Sequence, residues 1–188
     1  MDALELLTAD HNRVRGLFSL FKKAHEAEDT AEMQSVVDRI VTELEVHTTI
    51  EEEIFYPAIK SLEEELPEMV AEANEEHHVA KVLIEELAAL EPGSEEWAAK
   101  VTVLIENVEH HAEEEEEEMF PDVRSSSEAT AREQWAEQME GRKRELGAPT
   151  LADKIDLTKD ELLKKAQAQD IPGRSTMSQE ELAATVAP

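Results

Sequence analysis

The chain has 188 residues, 40% of them apolar, with 46 acidic residues against 18 basic ones and a formal net charge of −28. That length supports one bundle-sized core plus a small appendage, and 4% aromatic residues with five glycines disfavour a β-rich fold. With no cysteine, disulfides, thiolate metal sites, iron–sulfur clusters and thiol catalysis are excluded, and the negative field makes the body a poor partner for nucleic acid or anionic lipid.

The first predicted helix runs from about Asp2, a plausible N-cap, to Glu26, with a seam of Leu4, Leu7, His11, Val14, Phe18 and Phe21. Its start lacks the basic and apolar regions of a signal peptide, and no apolar run approaches the roughly 20 residues that cross a bilayer, so a soluble, cytoplasmic protein with no membrane partner is expected. The second helix follows Asp29-Thr30, from about Ala31 to Ile59, with Val37, Ile40, Leu44, His47, Glu51 and Ile54 on its seam. The third begins near Pro67 and carries Val70, Ala73, His77, Ala80, Ile84 and Leu87. After a Glu91-Pro92-Gly93-Ser94 turn, the fourth holds Trp97, Val101, Leu104, Val108, His111 and Glu115. All four seams step by threes and fours, as packed bundle helices do. A polar stretch, Arg124 to Ser127, precedes a fifth helix from about Glu128 to Leu146, which ends at Gly147-Ala148-Pro149. From about Leu151 the chain changes character: two short helices, near Lys159 to Gln169 and Ser178 to Val186, flank Ile171-Pro172-Gly173-Arg174-Ser175. The expected architecture is all-α: an up-down-up-down four-helix bundle over residues 1–122, a fifth helix and linker over 123–150, and a small helix-loop-helix module over 151–188.

One segment occurs twice. His47-Thr-Thr-Ile-Glu51 runs on to Pro57, and His111-Ala-Glu-Glu-Glu115 runs on to Pro121; in both copies Glu follows His by four residues and Pro follows it by ten. Each pair therefore points from one helical face, and each helix is expected to stop near its proline. Asp10-His11 and Glu76-His77 form a second, shorter repeat. The chain reads as two tandem hairpins, each offering a lone His and an HxxxE pair. Such groups in an apolar seam are costly unless paired, hydrogen-bonded or bound to a metal, and six at matching levels point to one shared ion cluster. The ligands are nitrogen and oxygen, which suits iron, manganese or zinc.

Several alternatives compete. Only Glu75 and His78 give the Glu-x-x-His spacing of ferritin-like sites, on a single helix. His78 competes with His77, and His110 with His111; the repeat selects His77 and His111. Glu115 sits in the run Glu113 to Glu118, which ordinarily marks a solvated face, and its distance to Pro121 singles it out. His25 lies about 20 Å along the helix from His11, too far for the same cluster. Tyr56 reads first as packing, with an outer-partner or ligand role as the alternative. Arg15 and Lys81 occupy equivalent places in the two hairpins, either paired near the site or reaching to the surface.

The arrangement resembles the hemerythrin-like (HHE cation-binding) family, over about residues 1 to 122, and within it the subset with the pattern H, HxxxE, H, HxxxE. The resemblance implies a four-helix bundle holding two iron ions, bridged by two carboxylates and an oxo or hydroxo group. Carried over, the metal ligands are His11, His47, Glu51, His77, His111 and Glu115, with Glu51 and Glu115 bridging. Oxygen-carrying members have a further third-helix His where this chain has Lys81, and a final Asp five residues after its His where this chain has Glu115 at four. The resemblance therefore implies oxidant handling, most concretely catalase-like decomposition of hydrogen peroxide, over reversible oxygen transport. The alternative is an oxygen- or nitric-oxide-binding, iron or redox sensor that signals through the C-terminal module. That module is similar to the Rho N-terminal and SAP-like domains, many of which bind nucleic acid; here its five basic residues are outnumbered by seven acidic ones, so a protein partner is at least as well supported.

Overall fold

The structure, a computed structural model, describes residues 1–148 and 158–186. Its elements are α1 (Ala3–Glu26), α2 (Thr30–Ile50), a π-helical turn (Glu51–Phe55), α3 (Tyr56–Ile59), α4 (Leu66–Leu87), α5 (Glu95–Glu114), a second π-helical turn (Glu115–Met119), α6 (Phe120–Ser126), α7 (Ala129–Glu145), α8 (Lys159–Ala168) and α9 (Gln179–Thr185). The described residues contain no strand, so the fold is all-α as expected, and none of their helices is long and apolar enough to cross a membrane.

Local chemistry sets the helix ends. The Asp2 carboxylate accepts from the Leu4 and Glu5 N–H groups while the Glu5 side chain accepts from Asp2, a capping box that starts α1. Asp29 caps α2 through the Glu32 N–H, and Ser94 caps α5 through the Trp97 N–H. Gly93, at φ +82°, makes the turn before α5 in a backbone region that disfavours other residues.

Two expectations are corrected. Helix 2 ends at Ile59 near Pro57, as expected, but not as one continuous α-helix, and Pro121 does not stop its helix: each proline sits at the second position of a short helix, α3 or α6, just beyond a π turn. A proline removes one N–H and crowds the carbonyl four residues back, so an α-helical bond cannot be made there. Opening the turn by one residue avoids that clash. The Tyr56 N–H reaches back five residues to the Glu51 carbonyl, and the Phe120 N–H to that of Glu115. Accordingly α6 continues through Ser126, past residue 122 and into the stretch read as polar loop.

α1 packs on α2 and α4 on α5, and the bundle interior falls into two apolar clusters. One holds Phe18, Phe21, Val36, Ile40, Trp97 and Val101 near the interhelical turns. The other holds Leu4, Leu7, Phe55, Ile59, Leu66 and Phe120, and is closed by Ala136 and Met139 of α7. Between them lies a polar layer. On α1 it interrupts the seam between Leu7 and Val14, on α2 between Leu44 and Ile50, and on α4 between Ala73 and Ala80.

α7 is pinned to the start of α1 by Arg132, whose Nε donates to the second Asp2 oxygen at 3.0 Å. α8 and α9 enclose a third small core of Leu162, Ala166, Ile171 and Leu182. This unit lies on α1, where Gly16 leaves room for Ile171: a Cβ there would come within 2.8 Å of its Cδ1. Lys23 adds bonds to Asp170 and to the Ala168 carbonyl, each at 2.8 Å. The predicted linker beyond Ala148 and the predicted start of the module at Leu151 lie outside the described residues.

Candidate metal centre

The polar layer consists of the six side chains singled out by the repeat. His11 comes from α1, His47 from α2, His77 from α4 and His111 from α5, while Glu51 and Glu115 are the first residues of the two π turns. All six are buried, Glu51 completely and Glu115 to within 1%. His25, His78 and His110 lie elsewhere, exposed at the surface.

The histidines converge in pairs. His11 Nε2 lies 3.1 Å from His47 Nε2, and His77 Nε2 lies 3.2 Å from His111 Nε2. Glu51 spans the pairs, with one oxygen 3.2 Å from His47 Nε2 and the other 3.3 Å from His77 Nε2. Glu115 Oε2 approaches His11 Nε2 at 3.4 Å and His111 Nε2 at 3.9 Å. Ligand atoms of His11, His47, Glu51 and Glu115 form one tight group, and those of Glu51, His77 and His111 a second, with separations inside each group of at most 4.8 Å.

A ring of outer groups decides what the inner nitrogens can do. The Nδ1 atoms of His11, His77 and His111 lie 2.8, 2.9 and 2.8 Å from carboxylate oxygens of Glu116, Glu52 and Glu76. A carboxylate accepts, so Nδ1 carries the hydrogen and each Nε2 presents a lone pair inward. At the His77–His111 contact two such lone pairs then face one another at 3.2 Å, an arrangement that a shared cation makes favourable. The two oxygens of Glu51 and Glu115 Oε2 are buried without a hydrogen-bond partner, which points the same way. The donor set fits divalent or trivalent first-row metals bound by imidazole and carboxylate.

Arg15 and Lys81 prove to be paired: each bonds the glutamate that holds a histidine, Arg15 to Glu116 at 2.9 Å and Lys81 to Glu52 at 2.6 Å. Tyr56 exceeds the packing role read first, since its hydroxyl donates to Glu115 Oε1 at 2.9 Å and lies 3.4 Å from His77 Nε2. Phe120, at the matching place in the other hairpin, stacks on His11 instead, with ring centroids 6.1 Å apart. Asp10, Glu52, Glu76, Glu116 and Lys143 are functional neighbours that the sequence reading did not assign. Asp10-His11 and Glu76-His77 carried a signal, an acid before each lone His, whereas Glu52 and Glu116 are lost among adjacent glutamates. Asp10 departs from the symmetry: it lies 3.8 Å from His47 Nδ1, too far for a hydrogen bond, and is held by buried Lys143 of α7 at 2.6 and 2.7 Å.

Electrostatics follow burial and neighbours. Burial and the facing Glu115 carboxylate push Glu51 well above the usual range. Burial opposes ionisation of Glu115 too, yet His111 and His11 hold it far below that range. Burial lowers His47 to about 4, and burial with His111 lowers His77 to about 3. Burial works against the charged form of His11 as well, and there Glu115 and Glu116 overcome it and raise the pKa. Neutral His47 and His77 leave their inner lone pairs free for a cation, which would displace the proton favoured on Glu51.

Against the histidines lies a cavity of about 20 Å³, walled by Val14, Phe18, Leu44, Ala80 and Val108, with Arg15, Asn107 and Glu109 also in its lining. A water molecule needs roughly 10–15 Å³ on this measure, so the space holds one or two atoms' worth of guest.

Comparison with known proteins agrees with this geometry. The family model of the hemerythrin HHE cation binding domain matches residues 2–123. A DNA nickase of Nostoc sp. is 28% identical over 145 residues, which are 76% of this chain and 39% of that protein, so the chain spans well under half of that relative's length. An uncharacterized protein of Mycobacterium tuberculosis is 31% identical over 129 residues, covering 64% of this chain and 71% of that protein. A solved hemerythrin HHE cation binding domain-containing protein from Mycobacterium kansasii shares the fold, with a TM-score of 0.66 over 99% of both chains and 22% identity.

Proposed function

The chain belongs to the hemerythrin HHE cation-binding domain family, and on that premise we propose that it is a non-heme di-iron protein that handles small oxidants, most concretely by catalase-like decomposition of hydrogen peroxide. One observation supports this above the others: two histidine pairs joined by Glu51, with buried carboxylate oxygens lacking other partners, abut a cavity sized for a diatomic or peroxide guest. His11 and His47 would hold one ion, His77 and His111 the other, with Glu51 and Glu115 between them. Bound iron supplies Lewis acidity and a two-electron change, so that peroxide serves in turn as oxidant and reductant.

The chain's own groups do the rest. Glu52, Glu76 and Glu116 fix the tautomer and orientation of three histidines. Val14, Phe18, Leu44, Ala80 and Val108 give the small cavity beside the histidines an apolar wall that favours a small guest over a large polar reductant. Burial and the Glu115 and Glu51 carboxylates push the Tyr56 phenol well above its usual pKa, so it stays protonated and keeps Glu115 Oε1 hydrogen-bonded. The DNA nicking that names the Nostoc relative is not carried over, because the shared segment is 39% of that protein and a charge of −28 repels phosphate backbones.

The test is metal content and oxygen evolution. Protein expressed with iron should hold two irons per chain and release oxygen from peroxide, and Glu51→Ala should lose both. Oxygen release that survives removal of iron would overturn the reading.

The packing of the C-terminal unit on α1, the helix that carries His11, favours a second reading as an oxygen, nitric oxide or redox sensor. It expects proteolysis near Gly147 to differ among diferrous, diferric and ligand-treated protein; identical patterns count against it.

A further inference from the structure

Outside the inner centre, one group of ligating side chains stands on the surface of the α4–α5 hairpin. His110 Nε2 lies 3.2 Å from Glu114 Oε1 and 3.7 Å from Glu76 Oε1, and the three residues offer ligand atoms within 4.8 Å of one another. His110 and Glu114 lie one helical turn apart on α5, facing Glu76 on α4. Glu76 divides its oxygens: Oε2 bonds inner His111 at 2.8 Å, and Oε1 turns out toward His110.

A cleft of about 50 Å³ runs beside this group, with Glu72, Glu114 and Glu118 along it and with His111 and Glu115 also in its lining. That is several times the roughly 10–15 Å³ a water needs, enough for a partly hydrated ion. Glu115 and His111 thus belong both to the inner layer and to the floor of this cleft, with Glu115 Oε2 turned inward, 3.4 Å from His11 Nε2.

The other hairpin provides an internal control. Counting back by the spacing that relates His111 to His47, the places of His110 and Glu114 are taken by Val46 and Ile50, both buried and apolar. Asp10, the counterpart of Glu76, is occupied by the Lys143 ammonium. The α1–α2 hairpin thus presents hydrocarbon and a fixed cation at the places where the α4–α5 hairpin presents carboxylates and an imidazole.

We propose that Glu76, His110 and Glu114 form an outer site for a divalent first-row cation, from which ions pass along the acidic cleft to the inner pair. The delivery step rests on the inner centre proposed above; the outer site does not. Two carboxylates and one imidazole near solvent make a hydrated, exchangeable site suited to passing an ion on. The inner donors, buried and converging, draw it onward.

The experiment uses manganous ion as the probe and the full-length, metal-free protein, with free Mn(II) followed by its electron paramagnetic resonance signal. Wild-type protein is expected to take up three ions per chain. The double variant His110→Ala/Glu114→Gln, altered at surface positions, should take up two, and should fill them at least tenfold more slowly. Glu51→Ala should retain the outer ion. A double variant that binds as many ions as wild type, or fills the inner pair as fast, overturns the proposal. Wild-type protein that takes up one ion, lost on changing His110 and Glu114, would uphold the outer site and refute the inner centre, so the two failures are distinguishable.

Discussion

Lys143 shows how much of the centre's setting comes from outside the matched family segment. It is 3% exposed, and its ammonium is paired with the buried Asp10 carboxylate beside His47. Burial opposes charge on Asp10, but Lys143 and Arg13 hold it well below the usual carboxylate range. A depressed folded pKa means that the pair's stabilisation is complete above the ordinary aspartate value of about 4 and is lost as pH falls through the folded value. Lys143→Met should cost roughly 1–3 kcal/mol, because it leaves the buried Asp10 charge with only Arg13, 3.5 Å away, as its ion partner, and Asp10→Asn in the same chain should restore most of it. Urea unfolding at pH 7 measures both. At this scale the sequence was legible where a polar residue broke an apolar seam, as His47 and Glu51 do. It was illegible where charge is abundant: nothing local distinguishes Glu52 or Glu116 from the rest of 46 acidic residues, or Lys143 from a solvated lysine.

Among elements, the starts of helices were readable and the turns inside them were not. Asp2 was expected as an N-cap and is one, with an added role as the partner of Arg132 on α7. Burial raises its pKa, but the Glu5 N–H and Arg132 more than offset this, so the carboxylate is favoured. Asp2→Ala removes a cap and leaves Arg132 without its Nε partner, and should lower stability by about 1–2 kcal/mol. Metal content should not change, since α1 keeps its place between two apolar clusters; chemical unfolding and metal analysis of one preparation check both statements. The π turns escaped notice because a Glu four residues after His sits on the same face in either geometry. The signal was in the prolines, whose missing N–H asks for an altered turn, and it was read as a helix stop.

For the molecule as a whole, the bundle and the C-terminal unit meet at a glycine. Gly16 had no assigned role in the sequence, since a helical glycine explains itself only once Ile171 is seen against it. Gly16→Leu should push the unit off α1, raising amide exchange in α8 tenfold or more, while the six inner residues keep their places and the metal content holds. Unchanged exchange would mean that Ile171 yields without undocking. The polar layer has a consequence of another kind. It divides the bundle core into two apolar halves that touch through six hydrophilic side chains, so what occupies that layer governs how strongly the halves melt together. A chain with filled ligands should unfold as one cooperative unit, its calorimetric and van 't Hoff enthalpies equal. Stripped of its ions, the same sequence is two short cores sharing four helices, each free to loosen on its own.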